Sequence, residues 1–500
     1  MKSLIAKIKE TYTGRDVIIA LQHMLTMIGA TILVPITCGL NVSMTVLCAG
    51  IGTIIFFFIS EKKVPVFLGS SFAFLGAYKA IMGEGAPNGP QTLFTDNYEL
   101  WCQNMGKLSV ALMAAGVLYL LFSILVKIVG VEKIKKAFPP IVVGPIVMLI
   151  GFILVQSMFQ NDIIGQISSG VAPAWKVWTC AIVTVVTVLA INAYCKPKSI
   201  LKIMPVICGF FVGTVYAWII GYPINIEFSG SIVIFQDIFT EKSILGFYRY
   251  LSIDLNAMVQ VLPVALVSIM EHMGDISANS MVCGKDFMVD PGINKTILGD
   301  GTATFVAGML GGPSNTTYSE NTAVLVMTNN FKATNTFLAA IFAVILGIFV
   351  PFADIIYAIP TPVIGGASIV LFGMISASGF RNLIDNRVDL GKTKNLLVVS
   401  FTVAVGLGVN SIGNLQFGKI QISALCVATL VGILLNFVIP NDKEENETNE
   451  PIKIQFLPDV KDDKEETQSN DKEEIVTQIN TEIETVTETK TEETVTETVS

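Results

Sequence analysis

Residues 313–321 read PSNTTYSEN, and residues 65–74 read PVFLGSSFAF. Both stretches contain Pro or Gly together with several small polar residues, yet apolar sequence lies on either side of them. Irregular backbone at membrane depth is tolerated only where protein or a cavity surrounds it. We therefore predict two helices that are interrupted inside a membrane. The alternative is that both stretches are simple loops between shorter helices.

The composition is that of a membrane protein. Of 500 residues, 52% are hydrophobic and 14% charged, whereas soluble domains carry about 25% charged residues. Residues 442–500 hold 19 Asp or Glu against 6 Lys, and the rest of the chain holds 21 against 26 Lys or Arg. The net charge of −8 therefore describes an apolar body with an acidic tail, and it does not point to a nucleic-acid partner. Eight scattered Cys and two His argue against a metal site.

The number of spans follows from the apolar runs, since a helix needs about 20 such residues to cross a bilayer. Two further regions, 64–83 and 312–330, hold the interrupted stretches and bring the predicted total to fourteen. The twelve clear runs are 16–36, 43–60, 108–129, 140–159, 177–194, 203–221, 256–274, 296–311, 335–357, 362–379, 395–410 and 420–439.

Fourteen spans also fit the distribution of positive charge. With both termini in the cytoplasm, 20 Lys or Arg of the body lie inside and 6 outside, as the positive-inside rule requires. The amino end, MKSLIAKIKETYTGR, runs into the first span without a cleavage site, so no signal peptide is expected. We predict a multi-pass protein of the cytoplasmic membrane. The outer six are Lys79, Lys107, Lys176, Lys242, Arg249 and Lys419.

The two interrupted segments are the third and tenth spans, which are equivalent positions in a 7+7 arrangement. Paired interruptions of this kind indicate a midplane substrate site in a transporter built from inverted repeats. A half-helix that begins inside the membrane presents unpaired amides and a positive dipole end. Two such ends facing each other can bind a small polar solute without a buried charge.

Carboxylates inside a membrane are costly, which makes them functional candidates. Glu271 and Asp275 lie one turn apart on the eighth span, and Glu320 opens the second half-helix. For Glu271 and Glu320 the alternative is a structural hydrogen bond to the interrupted backbone, and for Asp275 it is solvation at the end of its span. Asp300, in the small-residue segment GDGTATFVAG, is expected to be structural.

His272 points about 100° away from Glu271 around the helix, so we expect it to pack elsewhere. With Asp300 and Asn321 it completes a set of structural polar groups. No nucleophile–base pair and no metal-ligand set is evident, so we expect neither an enzyme nor a metal site.

Four motifs together resemble one family. GSSFAF at 69–74, EHMGD at 271–275, DPG at 290–292 and NTTYSEN at 315–321 are similar to motifs of the nucleobase–ascorbate transporters. These are also called nucleobase:cation symporters of the second type, and the closest likeness is to the bacterial uracil permeases. The resemblance covers about residues 10–440. It implies an all-α protein of fourteen transmembrane segments in two inverted repeats, with discontinuous third and tenth helices.

The resemblance also implies a division into a core domain that holds the substrate and a gate domain that mediates homodimerisation. The core domain would comprise residues 16–129 (spans 1–4) and 256–357 (spans 8–11). The gate domain would comprise residues 130–255 (spans 5–7 with an outer loop) and 358–440 (spans 12–14). Residues 1–15 would be a cytoplasmic amino end, and residues 441–500 a disordered acidic cytoplasmic tail.

Carried over by position, the resemblance implies that Glu271, Glu320, Phe72, Ser319 and Tyr318 bind the nucleobase. Glu271 and Asp275 would take part in proton coupling. The proton gradient would be the driving force, with no cofactor and with the lipid bilayer as surroundings. Asp275 stands where a well-known uracil permease has His, and Asp there is common among purine carriers. Three interpretations follow: a uracil:proton symporter, a xanthine or other purine symporter, or, less favoured, an anion channel or exchanger of the same fold.

Overall fold

A computed structural model describes residues 13–440 of the chain, apart from 87–89, 91–92, 134–138, 197–198, 225–229, 239–241, 414 and 418–419. The acidic tail predicted at 441–500 and most of the predicted amino end lie outside the described residues. The described part of the chain is mostly helical, and it includes fourteen main helices, numbered here in chain order. They are α1 Gly14–Cys38, α2 Val42–Ile59, α3 Phe72–Met82, α4 Tyr98–Val129, α5 Pro140–Ser168, α6 Ala174–Tyr194, α7 Pro205–Ile219, α8 Leu255–Cys283, α9 Ile293–Leu310, α10 Ser319–Thr328, α11 Ala333–Ile348, α12 Thr361–Asp385, α13 Thr393–Ser411 and α14 Ala424–Val438.

Eight of these helices are long and apolar enough to cross a membrane: α1, α2, α4, α5, α6, α8, α12 and α13. Helices α3, α7, α11 and α14 are apolar but shorter. Helices α9 and α10 carry more polar residues, among them Asp300 and Thr304 in α9. The chain therefore has the helices of a multi-pass membrane protein.

Local sequence explains where several helices begin. Thr13 and Asp16 form a reciprocal capping box at the start of α1, with each residue accepting a bond from the backbone of the other. At the starts of α2, α4 and α8, the side chains of Asn41, Asn97 and Asp254 each accept one hydrogen bond from a first-turn amide. Asn97 explains one difference from the sequence prediction: α4 begins at residue 98, ten residues before the predicted apolar run.

A second difference concerns the predicted run 335–357, which is divided in the structure. Helix α11 ends at Ile348, and a short helix follows over Val350–Tyr357. Phe349 between them is extended and forms an isolated β-bridge with Val233. Pro351 then favours the start of a new helix over continuation of the old one.

The helices pack in two groups. In the first group, α4 packs along α9 and α2 along α11, with α1, α3, α8 and α10 beside them. In the second group, α5 packs along α12, α6 along α7 and α13 along α14. Fewer contacts join the two groups, mainly from α8 to α5 and α14 and from α3 to α5.

Small residues allow the closest of these packings. A Cβ added at Gly116 of α4 would lie 2.7 Å from the Cβ of Phe305 and 2.8 Å from the Phe305 backbone in α9. Helices in membranes commonly approach each other through such small residues.

The loop between α2 and the first interrupted segment is held by charged groups. Glu61 accepts hydrogen bonds from Lys295 of α9 and from Lys63, and Lys63 also donates to Asp290 at 2.5 Å. The bonds from Lys295 and Lys63 lower the pKa of Glu61 to about 2. Glu61 therefore stays ionised at physiological pH, and the contact between this loop and α9 persists.

The α4–α9 packing yields a stability test. We expect Gly116→Ala to destabilise the protein by about 1–3 kcal/mol, because the added methyl group meets backbone that cannot give way. The matched control is Gly408→Ala in α13, where no atom lies within 4 Å of an added Cβ. Thermal unfolding in detergent should show Gly116→Ala melting at a lower temperature and Gly408→Ala unchanged or slightly stabilised. Equal melting temperatures would contradict the packing.

Candidate functional site

Two short strands pair with each other inside the first helix group, and this strand pair is called the crossing below. Strand β1, Leu68–Ser70, pairs antiparallel with β2, Asn315–Thr317, so that Gly69 lies opposite Thr316. The pairing continues for one bond beyond the strands, since the Ser71 amide donates to the Ser314 carbonyl at 2.8 Å. All residues of both strands are buried. The two interrupted segments predicted from the sequence are therefore in direct contact.

Side chains from neighbouring helices satisfy the outer edges of the strands. The Leu68 amide donates to Thr53 Oγ1 at 2.8 Å, and the Ser314 amide donates to the Tyr78 hydroxyl at 2.7 Å. Thr304 Oγ1 donates to the Asn315 carbonyl at 3.1 Å. Buried backbone groups without partners are strongly disfavoured, and these contacts provide the partners. They also attach the crossing to α2, α3 and α9.

A helix begins immediately after each strand. Ser71 precedes α3 and Tyr318 precedes α10, both in extended conformation and neither with a side chain bonded to the first amides of its helix. The Ser71 hydroxyl is itself buried without a hydrogen-bond partner. The first amides of a helix carry partial positive charge and remain available as donors. Two such helix starts therefore lie on either side of the crossed strands.

Aromatic residues connect the two helix starts. The Phe72 ring stacks on the Tyr318 ring with centroids 5.8 Å apart and planes inclined by 8°. The Tyr318 hydroxyl donates to the Ser70 carbonyl at 2.5 Å. Phe372 of α12, in the second helix group, contacts the Phe72 ring edge-on at 5.5 Å. Two of the predicted binding residues thus lie against each other at the boundary between the helix groups.

Glu271 and Asp275 lie on α8 beside the crossing and are both half-buried. Asp275 accepts a hydrogen bond from Thr317 Oγ1 at 2.8 Å, which ties β2 to α8. Two turns earlier on α8, Ser268 Oγ donates to Thr316 Oγ1 at 3.4 Å. Glu271 lies within electrostatic range of the Tyr119 hydroxyl of α4. Asp275 therefore has a fixed partner within the protein. A carboxylate that is only solvated at the end of its span, the alternative considered from the sequence, would have none.

His272 and Asp300 form a separate contact. His272 Nδ1 lies 2.8 Å from a carboxylate oxygen of Asp300, and both side chains are fully buried. The Phe56 ring covers the imidazole edge-on at 6.2 Å. The pair joins α8 to α9. His272 therefore lies on a different face of α8 from Glu271, as expected from the 100° between consecutive residues of a helix.

Asn321 forms a buried hydrogen-bonded link next to the crossing. Its amide donates to the Pro65 carbonyl at 2.8 Å, and its Oδ1 lies 2.9 Å from His23 Nδ1 of α1. This link connects the first turn of α10 to α1 through His23 and to the segment that precedes β1 through Pro65. Ser319 and Glu320 open α10, but their side chains lie outside what the structure describes.

Several residues that complete this site do not stand out in the sequence. Ser71, Thr317, Ser268 and Tyr119 are small or aromatic polar residues within apolar spans, where such residues are common. Their roles depend on contacts across more than 40 positions of sequence, so no local pattern could identify them. Among the residues that the structure describes, no group of three or more His, Cys, Asp or Glu could hold a metal ion.

The Asn321 link yields a prediction about stability. We expect Asn321→Ala to lower the free energy of unfolding by about 1–3 kcal/mol, because the Pro65 carbonyl and His23 lose their partner in a buried place. Asn410→Ala is the control, since Asn410 also bonds through its amide, to Gln156 at 2.7 Å, but at an exposed position. The two variants are compared by thermal unfolding in detergent, and equal effects would contradict a structural role for Asn321.

Comparison with known proteins assigns the chain to a family. A family model described as "Permease family" matches residues 14–415. The uracil permeases of Bacillus caldolyticus and Bacillus subtilis (strain 168) are each 33% identical to the chain, over 430 and 436 residues. Both alignments cover 85% of this chain and more than nine-tenths of the relative, 92% and 93%.

Among solved structures, the transmembrane domain of a cyanobacterial bicarbonate transporter, BicA, superposes with a TM-score of 0.56 at 14% identity. The superposition covers 84% of this chain and 96% of that domain, and at this identity it shows a shared transporter fold only. The chain is therefore a multi-pass membrane transporter that belongs to the permease family, the nucleobase:cation symporter-2 family whose motifs it carries.

Proposed function

We propose that the protein takes up uracil together with protons across the cytoplasmic membrane by alternating access. The observation that carries the proposal is the pair of helix starts, α3 and α10, that flank the crossed strands beside Glu271. The relatives matched over most of their length are uracil permeases, which favours uracil over xanthine as the substrate.

The chemistry of uracil fits this arrangement. Uracil is planar, neutral and edged alternately by N–H donors and C=O acceptors. Carboxylates accept from N–H groups, and helix-start amides donate to C=O groups. In the proposal, Glu271 and Glu320 take the first role, and the amides near Phe72 and Ser319 take the second. Tyr318, stacked on Phe72, shapes the pocket.

A half-buried carboxylate in a membrane can gain and lose a proton as its surroundings alternate between the two sides. Glu271 is the proposed proton-linked group, and Asp275 assists it. Because Asp275 already accepts a bond from Thr317, it acts through the position of β2, which carries the residues leading into α10. The proton gradient then drives accumulation without a cofactor.

The helix packing supports fourteen spans in two inverted repeats. If α1–α7 and α8–α14 are equivalent, each helix contact needs a counterpart in which both helices are replaced by their equivalents, seven positions away in chain order. The α4–α9 contact corresponds to α11–α2, the α6–α7 contact to α13–α14, and the α6–α12 contact to α13–α5. Strand β1 corresponds to β2, its own partner. The discontinuous third and tenth spans are then α3 and α10 with their strands.

The two packing groups also have the composition proposed for a core domain and a gate domain. The first group corresponds to spans 1–4 and 8–11, and the second to spans 5–7 and 12–14. Movement of one group against the other would expose the site to each side of the membrane in turn. We further propose that both termini are cytoplasmic and that gate domains pair in a homodimer.

The likeness to a bicarbonate transporter does not favour anion transport by this protein. It concerns the fold, and function depends on the residues of the site. Glu271 and Asp275 beside the crossing would repel an anion.

The proton-coupling role of Glu271 can be tested directly. In cells lacking their own uracil uptake, the Glu271→Gln variant should lose gradient-driven accumulation, with the internal-to-external ratio falling to about one because nothing couples the gradient to uracil. Exposed Glu99→Gln is the control and should accumulate uracil like the unmodified protein. Full accumulation by Glu271→Gln would contradict the proposal.

Substrate choice is tested by competition. Uptake of radiolabelled uracil should disappear with a protonophore and should be unaffected by excess unlabelled xanthine. A site built to pair each polar edge of uracil rejects a differently edged ring strongly. Strong competition by xanthine, or no uracil uptake, would move the assignment to a purine carrier.

A further inference from the structure

A lysine joins the two helix groups near the end of α3. Lys79, in the last turn of α3, donates from Nζ to Ser157 Oγ of α5 at 2.8 Å. Lys79 is half-buried, and the partner in this hydrogen bond is a neutral hydroxyl. An ammonium in such a place is stabilised far more by a carboxylate than by a hydroxyl.

A carboxylate, Asp162, lies on a stretch of α5 that changes its winding. Residues Phe159–Ile164 form a π-helical turn, and the Gly165 amide bonds to the Gln160 carbonyl five residues earlier. In an α-helix, residue 162 would lie about 140° around the axis from Ser157. A π turn winds more loosely than an α-helix, so Asp162 is rotated from that position toward the side of Ser157, and such turns are frequent at functional sites. The turn therefore brings Asp162 toward the side of α5 that Lys79 approaches.

Asp162 is buried and incompletely paired. Its side chain is 2% exposed, and its Oδ2 has no hydrogen-bond partner. Gly365 of α12 lies directly against Asp162, since a Cβ added at Gly365 would be 2.9 Å from the Asp162 Cβ. The Asp162 side chain therefore has no room to move toward α12. Of the described titratable groups on adjoining helices, the Lys79 ammonium and the Cys38 thiol of α1 lie within electrostatic range of Asp162.

We propose that Asp162 is a second proton-binding site, located on the second helix group, and that its ionised form holds Lys79 and with it the end of α3 against α5. Proton binding converts the carboxylate to a neutral acid while Lys79 keeps its charge. The attraction between the two groups is then lost, and the ammonium is held by Ser157 alone. The inference rests on the proposed function, in which Lys79 lies on the outer side.

In the proposal, release of this contact widens a cleft that is already present between the helix groups. This cleft is lined by Phe72 and Gly76 of α3, by Ile153 of α5 and by Ala424 of α14. It runs along α3 between Gly76, which lies one turn before Lys79, and Phe72 of the candidate site. External acid would therefore favour opening of the side from which uracil and the driving proton enter.

Gly76 offers a reporter position for this cleft. It is exposed, and no atom lies within 4 Å of an added Cβ, so Gly76→Cys introduces a thiol without steric conflict. In proteoliposomes of known orientation, the rate of labelling by a membrane-impermeant maleimide measures how open the cleft is. Protein without the reporter gives the background from the native cysteines. No uracil is present during labelling.

We expect Gly76→Cys protein with native Asp162 to label about tenfold more slowly than the same protein carrying Asp162→Asn near pH 8, and at an equal rate near pH 5. Taking the ratio at each pH removes the pH dependence of the thiol reaction itself. Lys79→Gln should give the same fast labelling as Asp162→Asn, and the double variant should be no faster. Asp354→Asn, which also removes a buried carboxylate, at 7% exposure, should leave the ratio unchanged.

Equal labelling with and without Asp162 at every pH would overturn the proposal, as would the same effect from Asp354→Asn. Absence of labelling in all variants would show that the end of α3 does not face outward, and the proposal would fall with that orientation. Uracil uptake is measured on the same proteoliposomes. If uptake is absent but the Asp162-dependent ratio is observed, the substrate assignment fails while the proton site stands.

Discussion

Lipid cannot hydrogen-bond to a protein backbone, so each stretch that leaves the helical conformation inside a membrane must find its partners within the protein. In this chain two buried non-helical stretches satisfy each other. Leu68–Ser70 and Asn315–Thr317 form an antiparallel pair, and side chains of α2, α3 and α9 bond to the remaining backbone groups. Neither interruption would be tolerated without the other. The positions of α3 and α10, and hence of the candidate site, depend on this pairing.

The polar residues around the crossing differ in burial in a way that matches different roles. His272, Asp300 and Asn321 are fully buried and bonded to protein groups that connect helices. Glu271 and Asp275, on the same helix as His272, are only half-buried. A group that exchanges protons or contacts a solute needs access, whereas a group that holds helices together does not. The proposed division into binding and structural residues follows this contrast.

Much of the helical organisation could be predicted from the sequence because apolar runs are long and turns are marked by Gly, Pro and charged residues. Non-helical backbone at the two short strands was also predictable from PVFLGSSFAF and PSNTTYSEN. Their mutual pairing was not, since it joins residues almost 250 positions apart. The division at Phe349 depends on a bridge to Val233, and the orientation of Asp162 depends on a π turn without a sequence signature. These features arise from tertiary contacts and not from local pattern.

If the two helix starts and Glu271 form one site for uracil, as proposed, uracil must stabilise the purified protein against unfolding. A ligand that binds only the folded state raises its stability by about 2.7 kcal/mol at a hundredfold excess over Kd. We expect uracil to raise the unfolding temperature in detergent, xanthine to leave it unchanged, and Glu271→Ala to abolish the rise. A rise with xanthine alone, or a uracil effect that survives loss of Glu271, would contradict the proposed site.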